Sequence, residues 1–132
     1  MRNILIVLLL LLYSPIYSQS NNTIQILNIG LYSNTPYTIT PQLAEKAIGK
    51  SNSQTIINED EFVVNYILSL IEELKITDKK DIDIRIIMYI ACDSIKKTIY
   101  MDTDLAFIDG TYYTIPVGFF EKLIEELNVN LE

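Results

Sequence analysis

Histidine is absent from this chain, cysteine occurs once, and the four glycines stand apart from one another in 132 residues. Each shortage closes a route. Without histidine there is neither the usual general base of neutral pH nor the commonest zinc ligand, and a Ser-His-Asp arrangement cannot be assembled. Scattered glycines do not make the glycine-rich loop whose backbone donors cradle a phosphate. A single cysteine, Cys92, cannot staple the fold by an intrachain disulfide. It follows the apolar stretch "IRIIMYIA" and is expected as a small buried side chain. The fold must therefore rest on apolar packing, and no cofactor or metal site is expected.

Positive charge is scarce as well. Ten Lys and Arg face seventeen Asp and Glu, a net charge of −7. Phosphate backbones and anionic lipid repel such a chain, so no nucleic-acid or membrane-surface role is expected, whereas a protein with a basic surface would be attracted.

The one long apolar run, "ILIVLLLLLY" from Ile4 to Tyr13, ends at Ser14 and Pro15. A membrane-spanning helix needs about 20 apolar residues, and proline removes a backbone donor and clashes with the preceding turn. One cation, Arg2, stands before the run and small residues follow it, the order of a secretory signal peptide. Residues 1–20 are expected to be removed, by cleavage after Ser18 or Ser20. That leaves 21–132 as a single domain of about 112 residues, enough for one core. Loss of Arg2 takes its net charge to −8, and no cysteine is placed for a lipid anchor. The mature protein is expected without a stable membrane anchor, in the periplasm or outside the cell.

Along the mature chain, "NTIQILNIGLYS" (22–33) alternates as a mostly buried strand, with Ile24, Ile26 and Asn28 on one side and Leu27, Ile29 and Leu31 on the other. "TPQLAEKAIG" fits a short helix, with Thr40 as N-cap, Pro41 in the first turn and Gly49 as stop. "TII" before Asn58 fits a brief edge strand. From Asn58 to Lys75 the spacing predicts a helix capped by Asn58, with Val63, Tyr66, Ile67, Leu70, Ile71 and Leu74 as its apolar stripe. "DIDIRIIMYIA" is the clearest strand: Ile82, Ile84, Ile86, Met88 and Ile90 on one side, Asp83, Arg85, Ile87 and Tyr89 on the other. Three short β-rich runs follow, the last two joined by Asp109-Gly110, a pair that takes the positive backbone angles of a two-residue hairpin turn. A closing helix would bury Phe120, Leu123, Ile124 and Leu127. The expected fold is α+β: a mainly antiparallel sheet of four to five strands with two or three helices packed on one face.

If the other face is bare, it presents Arg85, Tyr89, Tyr100, Asp102 and Tyr112, residue types that grip partners through large contact areas with polar tips. On that expectation Ile86→Asp destroys the fold and Arg85→Ala leaves it nearly intact. The carboxylates of "DTDLAFIDG" do not match a calcium loop, since an apolar strand separates Asp109 from Asp102 and Asp104; they read as turn residues that bond backbone donors. Most other carboxylates fall on helix surfaces. The function expected is thus an exported, non-catalytic binding protein of inhibitor or immunity type. Two alternatives stand beside it: a small carboxylate-dependent hydrolase, which needs two acids about 5–9.5 Å apart if it follows glycosidase chemistry, and an envelope structural subunit.

Overall fold

The computed structural model describes residues 22–49 and 54–131; the expected leader, 1–20, lies outside the described residues. The elements in chain order are β1 (Thr23–Asn28), α1 (Pro41–Gly49), β2 (Gln54–Asn58), α2 (Glu61–Glu72), β3 (Lys75–Ile76), β4 (Ile86–Cys92), β5 (Ile95–Met101), β6 (Leu105–Ile108), β7 (Thr111–Thr114) and α3 (Phe119–Leu127). The fold is α+β, and among the described residues all seven strands form one sheet in the order β2-β1-β4-β5-β6-β7-β3. Every pairing is antiparallel. No helix among the described residues is long and apolar enough to cross a membrane.

The sheet is larger than the four to five strands expected. β2 forms where "TII" suggested an edge, and β3 is two residues long, too short to show any period. What makes β3 a strand is its partner: Lys75 and Ile76 pair with Thr114 and Tyr113.

Helix placement also differs from expectation. α2 and α3 cover one face, burying Val64, Ile67, Leu70, Ile71, Phe119, Leu123 and Leu127 against Ile24, Ile26, Ile86, Met88, Ile90, Ile99 and Met101. α1 lies on the opposite face, where Ala44 and Ile48 join Ile39, Ile82, Ile84, Ile87 and Leu105 in a second cluster. β4 explains the need for two covers. Ile86, Ile87 and Met88 are all fully buried, so both of its faces are apolar and each must be taken out of water. At about 1.5–3 kcal/mol for a fully buried aliphatic side chain, leaving either face bare would forfeit several kcal/mol.

The local differences share one cause, that caps and contacts fix the phase of a helix or strand more finely than spacing does. α2 starts later than expected. Its cap is Asp60, whose Oδ1 accepts from Phe62 N at 2.9 Å and Val63 N at 3.4 Å, while Asn58 ends β2 and accepts from Asp60 N at 2.9 Å. The buried stripe is turned accordingly: Val64 is buried, Val63 packs partly, and Tyr66 is 38 % exposed. In α3 the deepest aromatic is Phe119, with Phe120 packed edge-on to it at 5.4 Å between ring centres. β1 stops at Asn28, whose Oδ1 accepts from Gly30 N, and Gly30 turns through a positive φ of 92°. Leu31 consequently buries with the α2/α3 core and not beside Leu27 and Ile29. The isoleucines of 82–90 divide too: Ile82 and Ile84 lie in the α1 cluster, Ile86, Met88 and Ile90 in the other.

Two expectations about turns and thiols hold. Ile108 pairs with Thr111 across Asp109 (φ 48°) and Gly110 (φ 80°), the positive angles the Asp-Gly turn was expected to adopt. Cys92 is buried and free, with Sγ 3.5 Å from Asn65 Oδ1.

Candidate functional site

On the α1 side of the sheet, register places Ile87, Tyr100, Phe107 and Tyr112 in one cross-strand row. The ring centres of Tyr100 and Phe107 lie 6.1 Å apart, and those of Phe107 and Tyr112 4.8 Å, with the planes tilted by 45° and 57°. Such tilted pairs satisfy the electrostatics of aromatic rings better than flat stacking does. Tyr89 stands one row along, opposite Thr98. Tyr89, Tyr100, Phe107 and Tyr112 are all half-buried, packed against the α1 cluster without being enclosed by it.

α1 supplies one charge to this row. Glu45 projects from the helix so that Tyr100 Oη donates to its Oε1 at 3.1 Å. Burial and the Glu45 carboxylate, through its charge and this hydrogen bond, with a smaller contribution from Tyr89, push the Tyr100 hydroxyl up to about 12. The same causes raise Tyr89, burial first and then Glu45. Both phenols are thus held as neutral donors.

Arg85 and Asp102 sit elsewhere. Arg85 is 8 % exposed. Its Nη1 and Nη2 donate to the two Asp83 oxygens at 2.8 and 2.6 Å, its Nε to Ser33 O at 3.0 Å, and its Nη1 also to Ile84 O at 3.1 Å. Asp83 Oδ1 further accepts from Ile39 N at 2.8 Å. The forked guanidinium therefore pins the 30–39 loop to the start of β4, which the expected freedom of Arg85 did not anticipate. Asp102 is occupied by backbone: its Oδ1 accepts from Asp104 N and Leu105 N, both at 2.7 Å, and its Oδ2 from Asp83 N at 3.1 Å. Both residues line a groove of about 340 Å³ beside Tyr32, Ser33 and Thr103, a lining that includes none of the four ring residues Tyr89, Tyr100, Phe107 and Tyr112.

Of the five residues singled out from sequence, Tyr89, Tyr100 and Tyr112 pack against the α1 cluster, whereas Arg85 and Asp102 line the groove and are held by Asp83, the 30–39 loop and backbone donors. Phe107 and Glu45 were missed. Phe107 was readable only once the β5–β6–β7 register was known, and Glu45 only once α1 was seen to dock on this face.

No protein-family model matches the chain, and neither curated proteins nor solved structures give a match.

Proposed function

We propose that this is an exported, non-catalytic binding protein of inhibitor or immunity type, which grips another protein through Tyr89, Tyr100, Phe107 and Tyr112. The observation that carries the reading is the aromatic row itself: Tyr100, Phe107 and Tyr112 are half-buried and packed ring to ring, Tyr100 is joined to a helix by the Glu45 contact, and Tyr89 stands half-buried one row along. Rings held in this way lose little freedom on binding and combine apolar area with a hydroxyl donor. The net charge of −7, and Glu45 at the row, favour a partner with a basic surface. Asp83 and Asp102 are less suited to the hydrolase alternative, because they are engaged by Arg85 and by backbone donors.

The test is capture of protein ligands from the exported fraction by the parent protein and by a Tyr100→Ala/Tyr112→Ala variant of verified fold, at low salt where attraction is least screened. A ligand held by the parent and lost by the variant is the expected result. Equal retention by both, or no protein ligand at all, would overturn the reading. Export has its own check: the recovered protein should begin at Gln19 or Asn21, and an intact Met1 in a cytosolic or membrane pool would refute it.

A further inference from the structure

The two edges of the sheet are guarded very differently. β3 is two residues long, carries Lys75, and is followed by Asp78, Lys79, Lys80 and Asp81. Shortness and charge are the devices that keep an edge from templating another strand. β2 has neither. Its five residues, "QTIIN", include no charge, no proline and no glycine, and among the described residues it has a strand neighbour on one side only, β1. Ile57 stands 63 % exposed at that edge. A strand so composed offers a row of backbone donors and acceptors that an added strand would complete.

We propose that the occupant is β2 of a second copy, paired antiparallel about a two-fold axis at Ile56, so that two seven-stranded sheets run together as one. A two-fold contact must be self-complementary, each residue meeting its counterpart in both directions. Centred on Ile56, the pairing sets Gln54 opposite Asn58 and Thr55 opposite Ile57, and no like charges are opposed. The acidic run Glu59, Asp60, Glu61 that follows β2 decides the direction. Parallel pairing would align the two runs at the inter-strand spacing of about 4.8 Å. Antiparallel pairing leaves the two Asn58 residues at opposite ends, about 14 Å apart at ~3.4 Å per residue, beyond the ~8 Å over which salt lets charges act. For a chain of net charge −7 that separation favours the antiparallel arrangement.

Sedimentation of the protein expressed from the full chain, across a wide concentration range, tests the dimer, and cysteine pairing tests its register. The mass should rise toward twice the monomer, and Ile57→Lys, at an exposed position, should weaken the association about tenfold or more without moving the melting transition. Opposed residues in an antiparallel pair sit about 4.5–5.5 Å apart at Cα, within the ~4.4–6.8 Å that a disulfide spans. Thr55→Cys and Ile57→Cys proteins should therefore cross-link when mixed and oxidised, and neither should do so alone; the parent, with Cys92 buried, is the control. A monomer at every concentration, a dimer indifferent to Ile57→Lys, or a mixture that fails to cross-link would each overturn the proposal, the last two by placing the contact on another surface.

Discussion

Replacing Arg85 with alanine should unlock the start of β4, and the size of the effect can be worked from its contacts. The substitution removes two charge-assisted bonds to Asp83, at 2.8 and 2.6 Å, and leaves the carbonyls of Ser33 and Ile84 without that donor. Breaking a fully buried pair costs about 3–5 kcal/mol. Here the arginine side chain is 10 % exposed but Asp83 is 39 % exposed, so water can return to the orphaned carboxylate and the full figure is an upper bound. We expect a loss of about 2–4 kcal/mol, a large share of the ~5–15 kcal/mol that holds a typical domain. At ~4 °C per kcal/mol for a domain of this size, the melting temperature should fall by roughly 8–16 °C. Arg85→Lys keeps the charge without the fork that reaches Ser33 O and both carboxylate oxygens, and should lose about half as much. Urea unfolding followed by circular dichroism gives the free energies. A double-mutant cycle with Asp83→Ala should return a coupling of about 1–2 kcal/mol, and faster hydrogen exchange at the Ile39 N–H, which Asp83 accepts at 2.8 Å, would locate the damage in the 30–39 loop. An Arg85→Ala protein melting within about 2 °C of the parent would refute this reasoning and return Arg85 to a dispensable surface role.

Three further outcomes follow from other parts of the fold. The Tyr100 phenol, raised to about 12 by burial, Glu45 and Tyr89, keeps its proton better folded than unfolded. Its contribution is therefore complete below its unfolded pKa of about 10, and is lost as pH climbs toward 12. Ultraviolet titration should show one late tyrosinate missing in Tyr100→Phe and shifted earlier in Glu45→Gln; an unshifted curve in both would contradict the contact. Asp60→Ala should cost about 1 kcal/mol in chemical denaturation, as an N-cap does, and Asn58→Ala clearly less; the reverse order would restore Asn58 as the cap. Ile86→Asp, at a fully buried position, should abolish soluble expression, whereas Phe62→Asp on the exposed side of α2 should stay within about 0.5 kcal/mol of the parent in the same assay. Equal collapse would mean that Phe62 does not stand on the exposed side of α2.

What was legible in the sequence was the set of elements that carry their own local signal. The Asp109-Gly110 turn, the alternation in β1 and the 3.6-residue spacing in α2 and α3 depend on backbone angles and periodicity within a few residues, and all appear in the fold. Phase was harder. Asn58 and Asp60 are both good caps two residues apart, and only the end of β2 at Asn58 decides between them. Phe119 and Phe120 are adjacent and alike, so their order of burial depends on where α3 meets the sheet. Tyr89, Tyr100 and Tyr112 were found by alternation because tyrosines on antiparallel neighbours share a face when the register is even; Arg85 satisfied the same rule yet was drawn inward by Asp83, a contact no period encodes.

The amino-acid order alone determined that this chain folds without disulfides or histidine, that it carries excess negative charge, and that it builds an antiparallel α+β domain, because composition and short-range spacing govern those properties. Only the tertiary structure decided that α1 crosses to the opposite face, that two residues become β3 by pairing with β7, that Glu45 meets Tyr100, and that Arg85 is spent on a loop. Each of those joins residues far apart in the chain. Their energies come from burial and from partners that exist only once the sheet has closed its register, so no local window contains them.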